Sequence, residues 1–317
     1  MPALLVQLEP RGAWRNGPAT GERERVDPIL HSDTLFSALC HAFAALGEID
    51  AWLEATAAAK VRITSLFPFQ GDDLYVPPPQ SLWPPTVTKL RAHGADFVPV
   101  RLVAQMLEGQ AMKEDQWRVD GLSRCLHARQ HRTGPFRIAL RSRAAVDRLT
   151  GASVDVHRTA CLEFADNAGL WCAAEFEDTS CESTWAGKLR SAFVWLADTG
   201  LGGERTSGWG QSHAPRFRTG ELSELLRLPA AEAGSKSWWV LSLLAPTDSD
   251  GIDWSSGAYQ TVRRGRMGSE AASMVSEGSV VSAAAAPVGK VWEMEQGIWR
   301  SGLGLSIALA AKLGGAA

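Results

Sequence analysis

The chain contains no apolar run approaching the ~20 residues that a bilayer-crossing helix needs, so a membrane-spanning role is not expected. It also lacks the start of an exported protein: Met1 to Glu9 is a short apolar-alternating run with Arg11 behind it, not a basic segment ahead of a long apolar core. Both absences lead to the expectation of a cytoplasmic protein. Cysteine is sparse and badly spaced for cross-linking. Cys40, Cys125, Cys161, Cys172 and Cys181 form an odd set without a CxxC pair, which argues against a disulfide framework and a zinc ribbon. Cys125, His127 and His131 offer ligand types at close spacing, but a fourth ligand is missing and the arginine-rich surroundings oppose a dication, so neither metal nor cofactor is expected. Lysine is scarce, with seven against twenty-five arginines, and the formal charge of -3 speaks against a free-standing, nonspecific binder of nucleic acid.

Against that background the run Gly200-Leu201-Gly202-Gly203-Glu204-Arg205-Thr206-Ser207-Gly208-Trp209-Gly210 stands out. Glycine permits positive φ and close approach of main-chain N–H groups to an anion, and Arg205, Thr206 and Ser207 add side-chain donors. A P-loop would need Lys and a hydroxyl residue after its last glycine, where Trp209-Gly210-Gln211 follows Gly208 here. A dinucleotide fingerprint would follow a strand and open a helix; this loop follows a helical pattern and precedes a strand. The plain alternative is a glycine-rich helix end with no ligand.

Arginine is also clustered. Residues 124–148 hold arginines 124, 129, 132, 137, 141, 143 and 148 against Asp147 alone, a net +6 in an otherwise acidic chain. Codon bias in a GC-rich genome explains arginine over lysine but not the clustering, which marks a track for a polyanion.

A chain of 317 residues exceeds the usual size of one hydrophobic core, and two domains are expected. Ala3 to Leu8 reads as a strand, Ser32-Asp33 as the start of a helix ending at Gly47, Ile49 to Ala59 as a second short helix, and Val61 to Phe67 as a strand. Prolines make 68–86 extended. Residues 87–135, broken by Gly94, Pro99, Gly109 and Gly121, read as a projecting insertion. Arg137 to Arg143 alternates as a strand that places Arg137, Arg141 and Arg143 on one face. Cys161–Ala165 and Gly169–Phe176 flank turn residues 166–168 as a hairpin, Ser183 to Asp198 is a helix, and His213 to Phe217 is the strand after the glycine loop. This order is the ferredoxin-like (split βαβ) plan over residues 1–220. A polar link at 220–236 precedes a smaller unit, 237–317, with strand-like runs at Trp238–Ala245, Tyr259–Arg266, Glu277–Ser282, Lys290–Glu293 and Leu303–Ala310.

Six segments, His31–Leu39, Ile63–Phe69, Val146–Gly151, Gly200–Gly210, Glu277–Val281 and Trp299–Gly304, stand in the order found in one family. On them the chain resembles the RAMP subunit of type III-A CRISPR (Csm) interference complexes that holds the 5′ handle of the crRNA. The resemblance implies an α+β fold of two tandem ferredoxin-like (RRM-like) domains, with a thumb-like insertion in the first. It implies as partners the single-stranded crRNA handle, the large polymerase-like subunit and the backbone RAMP subunit. It implies RNA contacts at His31, Ser32, Arg137, Arg141, Arg143, Arg148, Thr150, Gly151, Gly202, Gly203, Arg205, Thr206, Ser207, Trp209, Arg263, Arg264, Glu277, Gly278 and Ser279. The chain departs from the family in its lysine-poor insertion and in Gln296–Arg300. Trp209 and Trp117 are candidate stacking platforms; core packing is the ordinary fate of a tryptophan, with Trp209 set apart because glycine neighbours cannot bury it.

The competing class is a metal-independent endoribonuclease with His31 as its acid or base. No partner Tyr or Lys stands at a motif position, and the matching family is not of the cutting type, so a binding role for His31, or a helix cap, is the preferred reading. A third class is a structural adaptor that contacts only proteins.

Overall fold

The computed structural model describes residues 1–18, 21–84, 94–129, 131–230, 234–265, 271–294 and 297–309. The first part of the expected insertion (87–93), Arg266, Gln296 and Ala310 therefore lie outside the described residues.

The fold mixes helices and antiparallel sheets. β1 (Pro2–Leu8) leads through a long loop to α1 (Ser32–Ala45) and α2 (Ile49–Ala57), then to β2 (Val61–Ile63), β3 (Phe67–Gln70), β4 (Asp73–Val76), β5 (Val98–Pro99) and α3 (Val100–Leu107). Two short strands, β6 (Trp117–Val119) and β7 (Leu126–Ala128), precede a long two-stranded ribbon of β8 (Phe136–Val146) and β9 (Ser153–Phe164). β10 (Ala168–Phe176), α4 (Thr179–Thr199), β11 (Arg216–Glu221) and α5 (Leu222–Leu226) complete the first half. Its main sheet runs β11-β1-β10-β3-β4-β5, with β2 also pairing β10. Its first four strands stand in the order of a split βαβ unit, fourth-first-third-second, with α1 and α4 as the two crossover helices.

α1 buries Leu35, Phe36, Leu39, Ala42 and Phe43 at helical spacing. Phe43 stacks on Trp52 of α2 at 4.7 Å, and Trp52 meets Trp185 of α4 edge-on at 5.7 Å, so one aromatic cluster fixes three helices. The Asp178 carboxylate accepts from Cys181 N–H at 2.7 Å, which starts α4 four residues ahead of the expected Ser183.

Three expectations are corrected. The segment from Gly94 to Pro135 does not project: Phe97, Val98, Leu102, Val103, Trp117, Cys125 and Leu126 are buried in the main core, and β5 extends the sheet. The element that stands out is the β8–β9 ribbon, whose outer half is exposed on both strands, with Leu149 97% exposed. Cys161–Ala165 and Gly169–Phe176 do not pair as a hairpin. β9 pairs β8, and the turn at Asn167 (φ +55°) hands the chain to β10 in the sheet. Gly169 makes that docking possible, because a Cβ there would collide with the Leu8 carbonyl oxygen. Finally, the link at 220–236 carries α5, whose Leu222 and Leu226 enter the core with Leu228.

The second half contains β12 (Ser237–Val240), β13 (Asp253–Ala258), β14 (Thr261–Arg264), β15 (Ala272–Val275), β16 (Val280–Ser282), β17 (Gly289–Glu293), β18 (Trp299–Leu303) and β19 (Ser306–Leu309). Its four-stranded sheet runs β13-β16-β12-β19, which is again the fourth-first-third-second order when read from the β19 edge. Among the described residues from 237 to 309 there is no α-helix, so the two helices of a second ferredoxin-like unit are not seen; the hairpins β14–β15 and β17–β18 occupy the connections. The apolar core is continuous between the halves, joining Trp239, Leu241, Val280 and Leu305 to α1, α4 and the first sheet.

Candidate nucleic-acid interface

The N-terminus of α1, the loop after α4 and the base of the β8–β9 ribbon meet on one side of the molecule. Between α1 and the loop lies a groove of about 220 Å³ lined by Asn16, His31, Thr34, His41, Gly200–Gly203, Arg205 and Arg264, among others.

His31 precedes α1 and makes no side-chain cap, contrary to one expectation. Its Nδ1 lies 2.8 Å from Glu277 Oε1, and Ser65 Oγ–H donates to the same carboxylate oxygen. Burial acts to lower the His31 pKa, but the Glu277 charge and hydrogen bond override it, and the net shift is upward from 6.5. Burial acts to raise that of Glu277, and the His31 charge together with the bonds from His31 and Ser65 holds it below its ordinary range. His31 is therefore oriented by a carboxylate 246 residues away.

Glu277, Gly278 and Ser279 are buried behind the groove, not spread along its surface. Gly278 has φ +85°, its N–H donates to Val240 O, and a Cβ would approach Pro77 to 2.9 Å. Ser279 is 0% exposed, and its Oγ accepts from Gln260 N–H. Gly278 and Ser279, two of the residues expected to contact RNA, thus offer no exposed surface in this arrangement and follow Glu277 in a buried turn. Ser32 is likewise buried, with its Oγ accepting from Leu243 N–H at 2.9 Å. Arg264 is 8% exposed and held by Asp33 (3.0 and 2.9 Å) and Thr34 (3.0 Å), leaving it little freedom to meet a ligand. Arg263 beside it is exposed.

The glycine loop does not hold its amides out as a cradle. Gly203 N–H donates to Arg15 O, Gly210 to Ala13 O, Leu201 to Gly210 O, and Ser207 and Trp209 to Glu204 O. A Cβ at Gly210 would collide with Leu201 O, at Gly202 with Arg15 O, and at Gly200 would come within 2.7 Å of Trp209 O. These glycines let the loop fold onto itself and onto the 13–16 segment. What it presents outward is the Arg205-Thr206-Ser207 turn, exposed and bracketed by left-handed Glu204 and Gly208.

The expected common face of Arg137, Arg141 and Arg143 is present. Glu163 accepts from Arg137 (2.8 Å) and Arg141 (2.8 Å), which keeps its pKa low. Arg143 donates to Glu204 Oε2 and Ser207 Oγ, both at 2.7 Å, tying ribbon to loop. Arg143 and Arg141 lie 4.5 and 5.6 Å from the centre of the Trp209 ring. Trp209 is only 6% exposed, packed with Ala13 and Cys161 under the ribbon, so it is not an open stacking platform. The glycines do not bury it; the ribbon does. Trp117 is also buried, under Arg101 at 4.7 Å. At the tip, Asp147 accepts from Leu149 N–H and Thr150 Oγ–H, Gly151 takes φ +65°, and Arg148 is exposed. The opposite ribbon face exposes Ile138 and Leu140.

Three participants escaped the sequence: Glu163 and Glu204, which hold the arginines, and Asn16 under the loop. Glu204 lies inside the glycine run, where a carboxylate among donors is the one visible signal; Asn16 has none. Cys125, His127 and His131 do not form a ligand set; among the described residues only Glu177, Asp178 and Cys181 bring three ligand-type atoms within 4.8 Å. No described helix is long and apolar enough to cross a membrane.

No family model matches the sequence. Two curated relatives do, the CRISPR system protein Csm4 of Mycobacterium tuberculosis strains CDC 1551 / Oshkosh and ATCC 25618 / H37Rv. Each is 31% identical over 243 residues, which is 74% of this chain and 70% of the relative. Among solved structures, a chain of a Csm3–Csm4 subcomplex from a type III-A CRISPR-Cas interference complex aligns with a TM-score of 0.67 at 13% identity, covering 98% of this chain and 99% of that one. A chain of a Csm1–Csm4 cassette in complex with pppApA aligns at 0.64 and 18% identity, covering 98% of each. The fold is thus shared along nearly the full chain, and with the identity to the two curated relatives it follows that the chain belongs to the Csm4 family of CRISPR-system proteins.

Proposed function

We propose that this chain is a non-catalytic RNA-binding subunit of a type III-A CRISPR interference complex, acting in the cytoplasm and gripping the single-stranded 5′ handle of crRNA while docking the large polymerase-like subunit and the backbone RAMP subunit. The observation that carries the reading is the meeting of ribbon arginines and glycine loop, joined through Arg143 to Glu204 and Ser207. Two carboxylates, Glu163 and Glu204, hold guanidinium groups in place that can exchange them for phosphates, which set affinity and register on a single strand. The solved structures named above contain a Csm4 chain with Csm1 or with Csm3, which supports those two partners. The two sheets of like strand order support a tandem ferredoxin-like plan in which the second unit has exchanged its helices for hairpins.

The test is the Arg141→Glu/Arg143→Glu variant purified with its complex. Loss of co-purifying crRNA, with the salt dependence of binding falling by about one unit per phosphate contact removed, supports the reading. Unchanged crRNA retention favours a protein-only adaptor. One observation favours a second reading: His31 is fixed by Glu277 as a general base would be, with Nε2 on the side of Asp27. Cleavage of repeat RNA in EDTA that is abolished by His31→Ala would establish the endoribonuclease instead.

A further inference from the structure

The floor of the groove contains a polar group for which the fold has no use. Asn16 is 2% exposed, and neither Oδ1 nor Nδ2 has a hydrogen-bond partner in the protein. Of the buried side chains left in this condition among the described residues, only Asn16 lines the groove. The backbone around it is tied down at two carbonyls: Asp27 N–H donates to Asn16 O, and Gly203 N–H to Arg15 O, both at 2.8 Å. The neighbouring Arg15 side chain is engaged too, donating to the carbonyls of Glu22, Arg23, Arg25 and Ala160. The segment is thus anchored on both sides of a carboxamide that is left without partners.

A dry, unpaired donor and acceptor are each costly, and a residue that served only packing would be replaced by an apolar one of the same shape. Gly202 of the loop is a neighbour of the amide: a Cβ there would lie 3.5 Å from Asn16 Oδ1. Glycine at that point puts no side chain between the amide and the groove. Exposed Arg205 stands at the same groove with its guanidinium available for a phosphate.

We infer that Asn16 reads one unstacked base of the bound RNA, its carboxamide offering side by side the donor and acceptor that match the N7 and N6 amino group of adenine. This rests on the RNA-binding reading above and adds to it a specificity-determining residue. Phosphate contacts by the ribbon and Arg205 hold the strand, and Asn16 distinguishes what it carries.

The experiment measures binding of the full chain to labelled six-nucleotide oligo(A), oligo(U) and oligo(C). Wild type is expected to favour oligo(A) by about tenfold, the size of one good bidentate base contact. Asn16→Leu, which keeps the shape, is expected to bring the three affinities within about twofold, with an unchanged salt slope and a Tm no lower than wild type. Asn16→Asp, which removes the donor, is expected to lose the preference as well. A preference for oligo(A) that survives in Asn16→Leu would overturn the inference, as would wild-type binding without preference. Failure of the wild type to bind any of the three would overturn the RNA-binding reading itself, and this inference with it.

Discussion

His31 and Glu277 face each other from opposite halves of the chain, and their opposed pKa shifts make the contact depend on pH. His31, with its pKa raised, stabilises the fold in full below its ordinary 6.5, and this contribution is lost as pH climbs through the folded value. Glu277, with its pKa lowered, stabilises above its ordinary 4.5 and loses that contribution as pH falls through the folded value. The pair contributes most between those two values. The Tm difference between wild type and His31→Gln is therefore expected to be largest between the ordinary Glu and His values and to shrink as pH rises through the raised His31 value; a difference that is flat with pH would show the ion pair to be unimportant. Both residues were legible as members of motifs. Their pairing was not, since no local pattern links positions 31 and 277; docking of the second half creates it. Trp209 shows the same limit: its glycine neighbours suggested exposure, but the residues that bury it arrive with the ribbon.

At the scale of elements, the β8–β9 ribbon separates folding from function. Its base packs on Trp209, while its outer part, beyond Arg143, is solvent-exposed. Replacing residues 145–154 by a two-residue turn is expected to move Tm by less than about 2 °C, because little buried contact is lost. RNA retention by the assembled complex is expected to fall in the same variant. A large drop in Tm would mean that the ribbon tip supports the core. The arginine face of this ribbon could be read from the sequence because eleven residues of strand give several periods of two. The core segment 94–128 could not: its strands are two and three residues long, too short for any period to show, and its glycines and prolines mimic a loop. The turn residues at 166–168 were recognised correctly, but turn chemistry does not say which strands pair across it.

At the scale of the whole molecule, the two halves are joined by polar contacts as well as by the shared core. Arg264 to Asp33 is the central one, with side chains 10% and 11% exposed, and Ser65 N–H donates to Leu241 O. Removing one partner of such a pair leaves a buried charge, so Arg264→Ala is expected to cost about 3–5 kcal/mol in urea unfolding. Asp33→Leu/Arg264→Met is expected to recover much of that loss, because no charge remains unpaired. Equal losses in the single and double variants would refute the assignment. The α+β class and the strand order of the first half follow from element order in the sequence. The continuous core does not, because the polar stretch near 220–236 reads as a separator while α5 within it is packed inward.

The position of β1 governs when the molecule can come together. β1 lies inside the main sheet, one strand from its edge, where Ala3 meets Glu175 on one side and Gly220 on the other. During synthesis this apolar strand must wait for β10 (Ala168–Phe176) and then β11 (Arg216–Glu221) before its neighbours exist. Early contacts over such separations form slowly and leave sticky edges open in the meantime. The chain is thus a protein whose birth order runs against its architecture, and cellular yield of its variants will depend on what shelters the N-terminal strand until its neighbours are made.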